Sequence, residues 1–136
     1  MANVPPCPLT AGITLLMALL MFGTCFAVGR ARHTYGIVAP ATTGHPTFER
    51  LYRVQMNTLE WAVMTLPCLW VCALFTSDAL AAALGGLWLV GRIWYALGYA
   101  REARLRARGF TLGALAFGGL GLAAGYGVLR QLLGGV

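Results

Sequence analysis

Two stretches without a single charged side chain, Leu9 to Gly29 and Gly109 to Leu129, each run for 21 residues. A helix crossing the hydrocarbon core of a bilayer needs about 20 mostly apolar residues. Composition agrees: 59% of the 136 residues are hydrophobic and only 10% are charged, where a soluble domain carries roughly a quarter charged. A chain this short has too high a surface-to-volume ratio to hide that much apolar surface. A water-soluble monomer is therefore excluded, as are disordered, collagen-like and nucleic-acid-binding classes. The net charge of +6 comes from ten arginines, no lysine and four acids, with most arginines in two short stretches.

Two further segments can span once their polar ends are allowed for. One runs from about Phe48 to Phe75 with Glu60 as its deep charge, and the other from about Ala79 to Ala100 with Arg92 inside it. The expected fold is all-α, a single integral membrane four-helix bundle over residues 1–136 with spans near 9–29, 48–75, 79–100 and 109–129. A signal peptide is not expected at the start, because Met1 to Pro8 has no basic residue and the first run exceeds a usual h-region. Arg30, Arg32, Arg50 and Arg53 flank the first loop, and Arg101, Arg104, Arg106 and Arg108 fill the third. The positive-inside rule puts both loops in the cytoplasm and both termini on the other side.

Local signals add detail. Pro40 to Pro46 breaks the chain between the first two spans, Thr47 is a candidate cap for the second helix, and Asp78 for the third. The Ser77-Asp78 connection predicts a tight hairpin. Glycines 113, 118, 119, 121, 125 and 127 of the last span predict close helix packing. Cys7, Cys25, Cys68 and Cys72 form no disulfide framework. Three lie in apolar runs, and the i, i+4 pair Cys68 and Cys72 has no third ligand nearby, so no metal is expected.

Charged groups inside a bilayer are rare and by default functional. Arg53, Asn57 and Glu60 fall at i, i+4 and i+7, one face of a helix, with Gln55 pointing elsewhere. Glu60 lies about 10 Å deeper than Arg53. Arg92, Tyr95, Tyr99, Glu102 and Arg106 recur every three or four residues, again one face. Pairing of Glu60 with Arg92 or Arg53 could serve packing alone, and the tyrosines could form an interfacial belt. The whole set nevertheless suits a small polar ligand with several carboxylates and an amine, since guanidinium groups match carboxylates in bidentate geometry.

The segment Phe48-Glu-Arg-Leu-Tyr-Arg-Val-Gln-Met-Asn-Thr-Leu-Glu60 resembles the signature of MAPEG proteins, the membrane-associated proteins in eicosanoid and glutathione metabolism. The resemblance includes Val28 to Arg32, Pro40 to Pro46, and Gly91 to Tyr99 with the basic segment to Arg108, and covers about residues 10 to 130. It implies a homotrimer of four-helix subunits, with glutathione bound between neighbours near the cytoplasmic side. By the same resemblance Arg32, Arg53, Gln55, Asn57, Glu60, Tyr95 and Tyr99 hold the tripeptide. Arg106 stabilises its thiolate, and Arg32 assists the second substrate. One departure is Trp61, where leukotriene-type relatives carry a tyrosine that contacts glutathione. Trp keeps an N–H but not the same reach, which weighs against narrow eicosanoid specificity. The absence of lysine and the minimal loops look bacterial.

The expected activity is a membrane glutathione transferase with peroxidase activity as a further option. Glutathione is its co-substrate, and the second substrate is lipophilic and drawn from membrane lipid. A non-catalytic lipid-binding scaffold and a small multidrug transporter are the other classes. The transporter would place its carboxylate in the first span, which here is uncharged.

Overall fold

In the computed structural model, which describes residues 6–134, the chain forms four long helices: α1 (Pro8–Tyr35), α2 (Pro46–Phe75), α3 (Asp78–Arg101) and α4 (Arg106–Gly134). A short 3-10 turn, Ala103–Leu105, joins α3 to α4. All four are long and apolar enough to cross a membrane. Each expected span lies within one of them, although Met1 to Pro5, part of the stretch weighed as a signal peptide, falls outside the described residues. The helices overrun the apolar runs at their arginine-bearing ends. Thus Arg30 and Arg32 belong to the last turns of α1, which stops only at Gly36 in the left-handed conformation (φ 65°).

Capping follows the backbone rather than the first plausible side chain. Thr47 does not cap α2. The extended residue is His45, whose Nδ1 accepts from the Thr47 N–H at 3.2 Å, and Pro46 supplies the first helical position. Nor does Asp78 cap α3, because the chain turns one residue earlier. Extended Ser77 accepts from Leu80 N–H at 3.1 Å, and Asp78 is already helical. Its carboxylate instead accepts from the Leu9 and Thr10 N–H groups at 3.1 and 2.8 Å. The start of α1 has no side-chain cap of its own. Asp78 thus satisfies orphan donors of one helix from the corner joining two others.

The hairpin between α2 and α3 is as short as expected, with only Thr76 and Ser77 between them. Thr76 donates its hydroxyl to the Ala123 carbonyl of α4 at 3.0 Å, tying this corner to a third helix. Between the helices lies a core of Met17, Leu69, Cys72, Trp88 and Leu120 with smaller residues around it. Cys72 packs there as a small apolar side chain. The outer faces carry Leu15, Leu19, Phe22, Phe26, Leu122 and Leu129, all exposed, which suits lipid or another apolar surface.

The closest helix contact is between α3 and α4. A Cβ added to Gly109 would collide with the Tyr95 backbone, with its Cα at 2.7 Å, and with the Gly91 carbonyl oxygen at 2.8 Å. One on Gly91 would meet Gly113 Cα at 2.9 Å. The glycines therefore let two backbones touch. Only part of the expected glycine-rich stripe is used this way, since Gly118, Gly121 and Gly125 face open space.

Gly109→Ala must push two backbones apart, which costs about 1–3 kcal/mol by overpacking. Gly118→Ala adds a methyl into space and gains up to about 1 kcal/mol of helix propensity. Thermal unfolding in detergent should show a lowered midpoint for the first variant and an equal or raised midpoint for the second.

Candidate functional site

The face expected on α2 exists. Arg53 Nη1 lies 3.5 Å from Glu60 Oε1, and Asn57 Nδ2 donates to Glu60 Oε2 at 3.4 Å. Of the two arginines considered for Glu60, Arg53 makes the ion pair. Both side chains are about half exposed, at 54% and 49%. Arg92 points at the same region from α3 but is buried, at 1% exposure. Its Nη2 donates to Asn57 Oδ1 at 2.9 Å and to Thr58 Oγ1 at 3.0 Å. Its guanidinium carbon sits 4.1 Å from the Tyr95 ring centroid, within cation–π range.

Tyr95 stacks on Tyr99, with ring centroids 5.6 Å apart and planes at 8°. The guanidinium of Arg106 lies 5.3 Å from the Tyr99 centroid. The route by which Arg106 gets there differs from the sequence expectation, which continued one helical face through Glu102 and Arg106. Helix α3 ends at Arg101, Glu102 adopts an extended backbone (φ −155°), and Arg106 opens α4. Gly98 permits the break, because the Leu105 carbonyl oxygen lies 2.6 Å from where its Cβ would be. Glu102 leaves the shared face and pairs with Arg104 at 2.6 Å. The spacing was misleading as helix geometry, yet Arg106 still reaches the tyrosines because the chain folds back on itself.

Arg53, Asn57, Tyr95, Tyr99 and Arg106 line one cleft of about 520 Å³ at the end of the bundle where α3 passes into α4. Its apolar wall comes from Trp61 and Phe110. Trp61 meets Phe110 edge-on at 5.3 Å and Phe117 at 5.5 Å. Of the other sequence candidates, Glu60 is tied to the cleft through Asn57 and Arg53 without lining it. Gln55 is half-buried on α2 and does not line the cleft. Arg32 is also elsewhere, donating to the Ala41 carbonyl at 2.6 Å with its guanidinium 4.8 Å from the Phe48 ring. Phe110 and Thr111 line the cleft but were not among the candidates. They sit in a charge-free run where nothing in the sequence distinguishes them from other span residues.

Two guanidinium groups, an amide and two phenols around an aromatic wall can hold a small anion at one end and an apolar group at the other. The fold and cleft define a multi-pass helical membrane protein with a basic, aromatic site at one end of its bundle. The MAPEG family profile matches residues 10–126, and the chain belongs to that family. It is therefore an integral, multi-pass membrane protein. It is 47% identical over 120 residues to an uncharacterized protein of Synechocystis, covering 88% of each chain. It is 38% identical over 125 residues to leukotriene C4 synthase of Bos taurus, covering 92% of this chain and 83% of the relative. It is 36% identical to human microsomal glutathione S-transferase 2 over 121 residues, covering 85% and 82%.

The two edge-to-face contacts of Trp61 contribute about 1–3 kcal/mol together beyond area burial. Trp61→Ala should lower the unfolding midpoint, and Trp61→Phe, which keeps an aromatic ring against Phe110 and Phe117, should recover most of that loss. Equal melting of the two variants would show that the ring contacts do not hold this wall.

Proposed function

We propose that this protein is a membrane glutathione transferase that activates the glutathione thiol as a thiolate for attack on lipophilic electrophiles. The observation that carries this reading is the gathering of Arg53, Asn57, Tyr95, Tyr99 and Arg106 around one cleft with the apolar wall of Trp61 and Phe110 beside them. The names of two relatives, a microsomal glutathione S-transferase and leukotriene C4 synthase, support it. Arg53, Asn57 and Glu60 hold the tripeptide's charged and amide groups, with Tyr95 and Tyr99 as hydroxyl donors. Arg106 faces the sulfur.

A free thiol has a pKa near 8.5, and the thiolate is the nucleophile. A fixed guanidinium beside the sulfur favours the anion and lowers that pKa. The thiol proton leaves to solvent at the cytoplasmic end. The sulfur then forms a bond to the electrophilic carbon while the bond to the leaving group breaks and carries its electron pair away. No protein group becomes covalently modified. Reduction of lipid hydroperoxides by the same thiolate is the further activity of this reading.

Arg32 and Gln55 lie outside the cleft of their own subunit, as expected if each site is completed by a neighbour. An apolar groove of about 670 Å³ between α1, α2 and α3, lined by residues such as Leu16, Leu51, Leu89 and Ile93, offers a surface for such packing. We therefore extend the reading to a homotrimer in which Arg32 of an adjacent copy assists the second substrate. The arginine-bearing ends face the cytoplasm of a bacterial inner membrane, with both termini opposite.

Glutathione titration of detergent-purified protein should produce ultraviolet thiolate absorbance at neutral pH. In Arg106→Ala that signal should vanish and turnover should fall by roughly 100-fold, with binding largely kept. Parallel loss of binding and turnover would remove Arg106 from the thiolate role. Saturable binding without thiolate in the unaltered protein would make it a binding protein rather than a transferase.

A further inference from the structure

The side chain that the proposed chemistry leaves unused is Arg92. It lines none of the cleft, is 1% exposed and contacts no carboxylate within ion-pair distance among the described residues. Its Nε has no hydrogen-bond partner among them. A buried charge held by neutral acceptors is an expensive way to pack two helices, since an apolar side chain of similar volume commonly does as well or better. Its bonds indicate what it achieves instead.

A guanidinium has donors and no acceptor. When Arg92 Nη2 bonds the side-chain amide of Asn57, it must take Oδ1, and it does so at 2.9 Å. The amide can then turn only its Nδ2 the other way, which puts that group 3.4 Å from Glu60 Oε2, and Asn57 itself lines the cleft. Without Arg92, only the longer 3.4 Å bond to the acceptor-only Glu60 carboxylate would hold the amide in this orientation. The same guanidinium lies against the Tyr95 ring, which stacks on Tyr99. One buried group therefore sets side chains on both walls of the cleft.

We infer that Arg92 is a positioning residue that fixes Asn57 as a hydrogen-bond donor into the cleft, so that this position recognises a carbonyl or carboxylate oxygen of the ligand. As a statement about ligand recognition it rests on the glutathione reading above. As a statement about the amide it does not. Thr58, the second acceptor of Arg92, anchors the guanidinium without entering the cleft.

The chain contains two asparagines, Asn3 and Asn57, so selective side-chain nitrogen labelling in an Asn3→Ser background reports Asn57 alone. The ligand-free protein should show one rigid amide by nitrogen relaxation. Arg92→Met should shift that signal and make it mobile, while Thr58→Val should leave it rigid. An unchanged amide in folded Arg92→Met overturns the inference.

The second readout is glutathione affinity. Losing an oriented, charge-assisted contact should weaken binding roughly 10- to 100-fold in Arg92→Met. The double variant with Asn57→Ala should be no weaker than Asn57→Ala alone, because both remove the same donor. Additive losses would show that Arg92 does not act through Asn57. If Arg92→Met fails to assemble, Arg92→Lys is read in the same two ways, with partial mobility and partial loss expected. A protein that binds no glutathione but shows the amide response would overturn the ligand and leave the positioning role standing.

Discussion

Backbone contact between α3 and α4 is the constraint on which the rest of the molecule depends. Where Gly109 touches the Tyr95 backbone and Gly91 touches Gly113, the two helices approach more closely than any side chain would allow. The 3-10 turn that follows Gly98 then has to be tight. As a result Arg106, which opens α4, is placed above Tyr99 near the end of α3. In lipid no hydrophobic force draws helices together, so close van der Waals packing must hold the pair. The catalytic arginine of the proposed reaction is thus placed by residues that have no side chain.

At the opposite end of the bundle the same economy appears in Asp78. A carboxylate at a membrane boundary is costly unless its oxygens are occupied. Here they accept the first free N–H groups of α1, which has no cap of its own. This closes α1 onto the α2–α3 hairpin, while Thr76 ties that hairpin to α4. The two ends have different roles. One engages Asp78 and Thr76 in hydrogen bonds within the bundle, and the other leaves Arg53, Tyr99 and Arg106 around an open cleft.

The four helices were legible in the sequence because uncharged runs of sufficient length have few alternatives in a bilayer. The polar face of α2 was legible for a similar reason. Arg53, Asn57 and Glu60 repeat at helical spacing against an apolar background, and they do share a face. The caps were not, since Thr47, Ser77 and Asp78 all have capping chemistry and the backbone turn chooses among them. The end of α3 was legible to within a residue, expected near Ala100 and found at Arg101, but the course of the chain beyond it was hidden. Arg101 to Arg108 holds no glycine or proline before Gly109, and a spacing of three or four carried on across a break that only tertiary packing creates. Arg92 was visible as a deep charge, but its partners lie 34 and 35 residues away on another helix, and no local pattern names them.

The two arginines that meet the α2 face differ in a way that bears on how a ligand is taken up. Arg53 and Glu60 are about half exposed and 3.5 Å apart. Such a pair contributes little, about 0–1 kcal/mol. A ligand carboxylate can therefore replace Glu60 on Arg53, and a ligand ammonium can replace Arg53 on Glu60, at small cost to the protein. Arg92 is fully desolvated, and breaking its bonds would strand a charge at a cost of several kcal/mol. It cannot be displaced by a ligand and does not need to be. On the proposed reading, the exposed pair exchanges partners while the buried arginine, bonded to Asn57, holds that amide in one orientation. Recognition at this site then needs no rearrangement of the bundle, only the substitution of one weak ion pair by stronger, bidentate contacts on a framework already set.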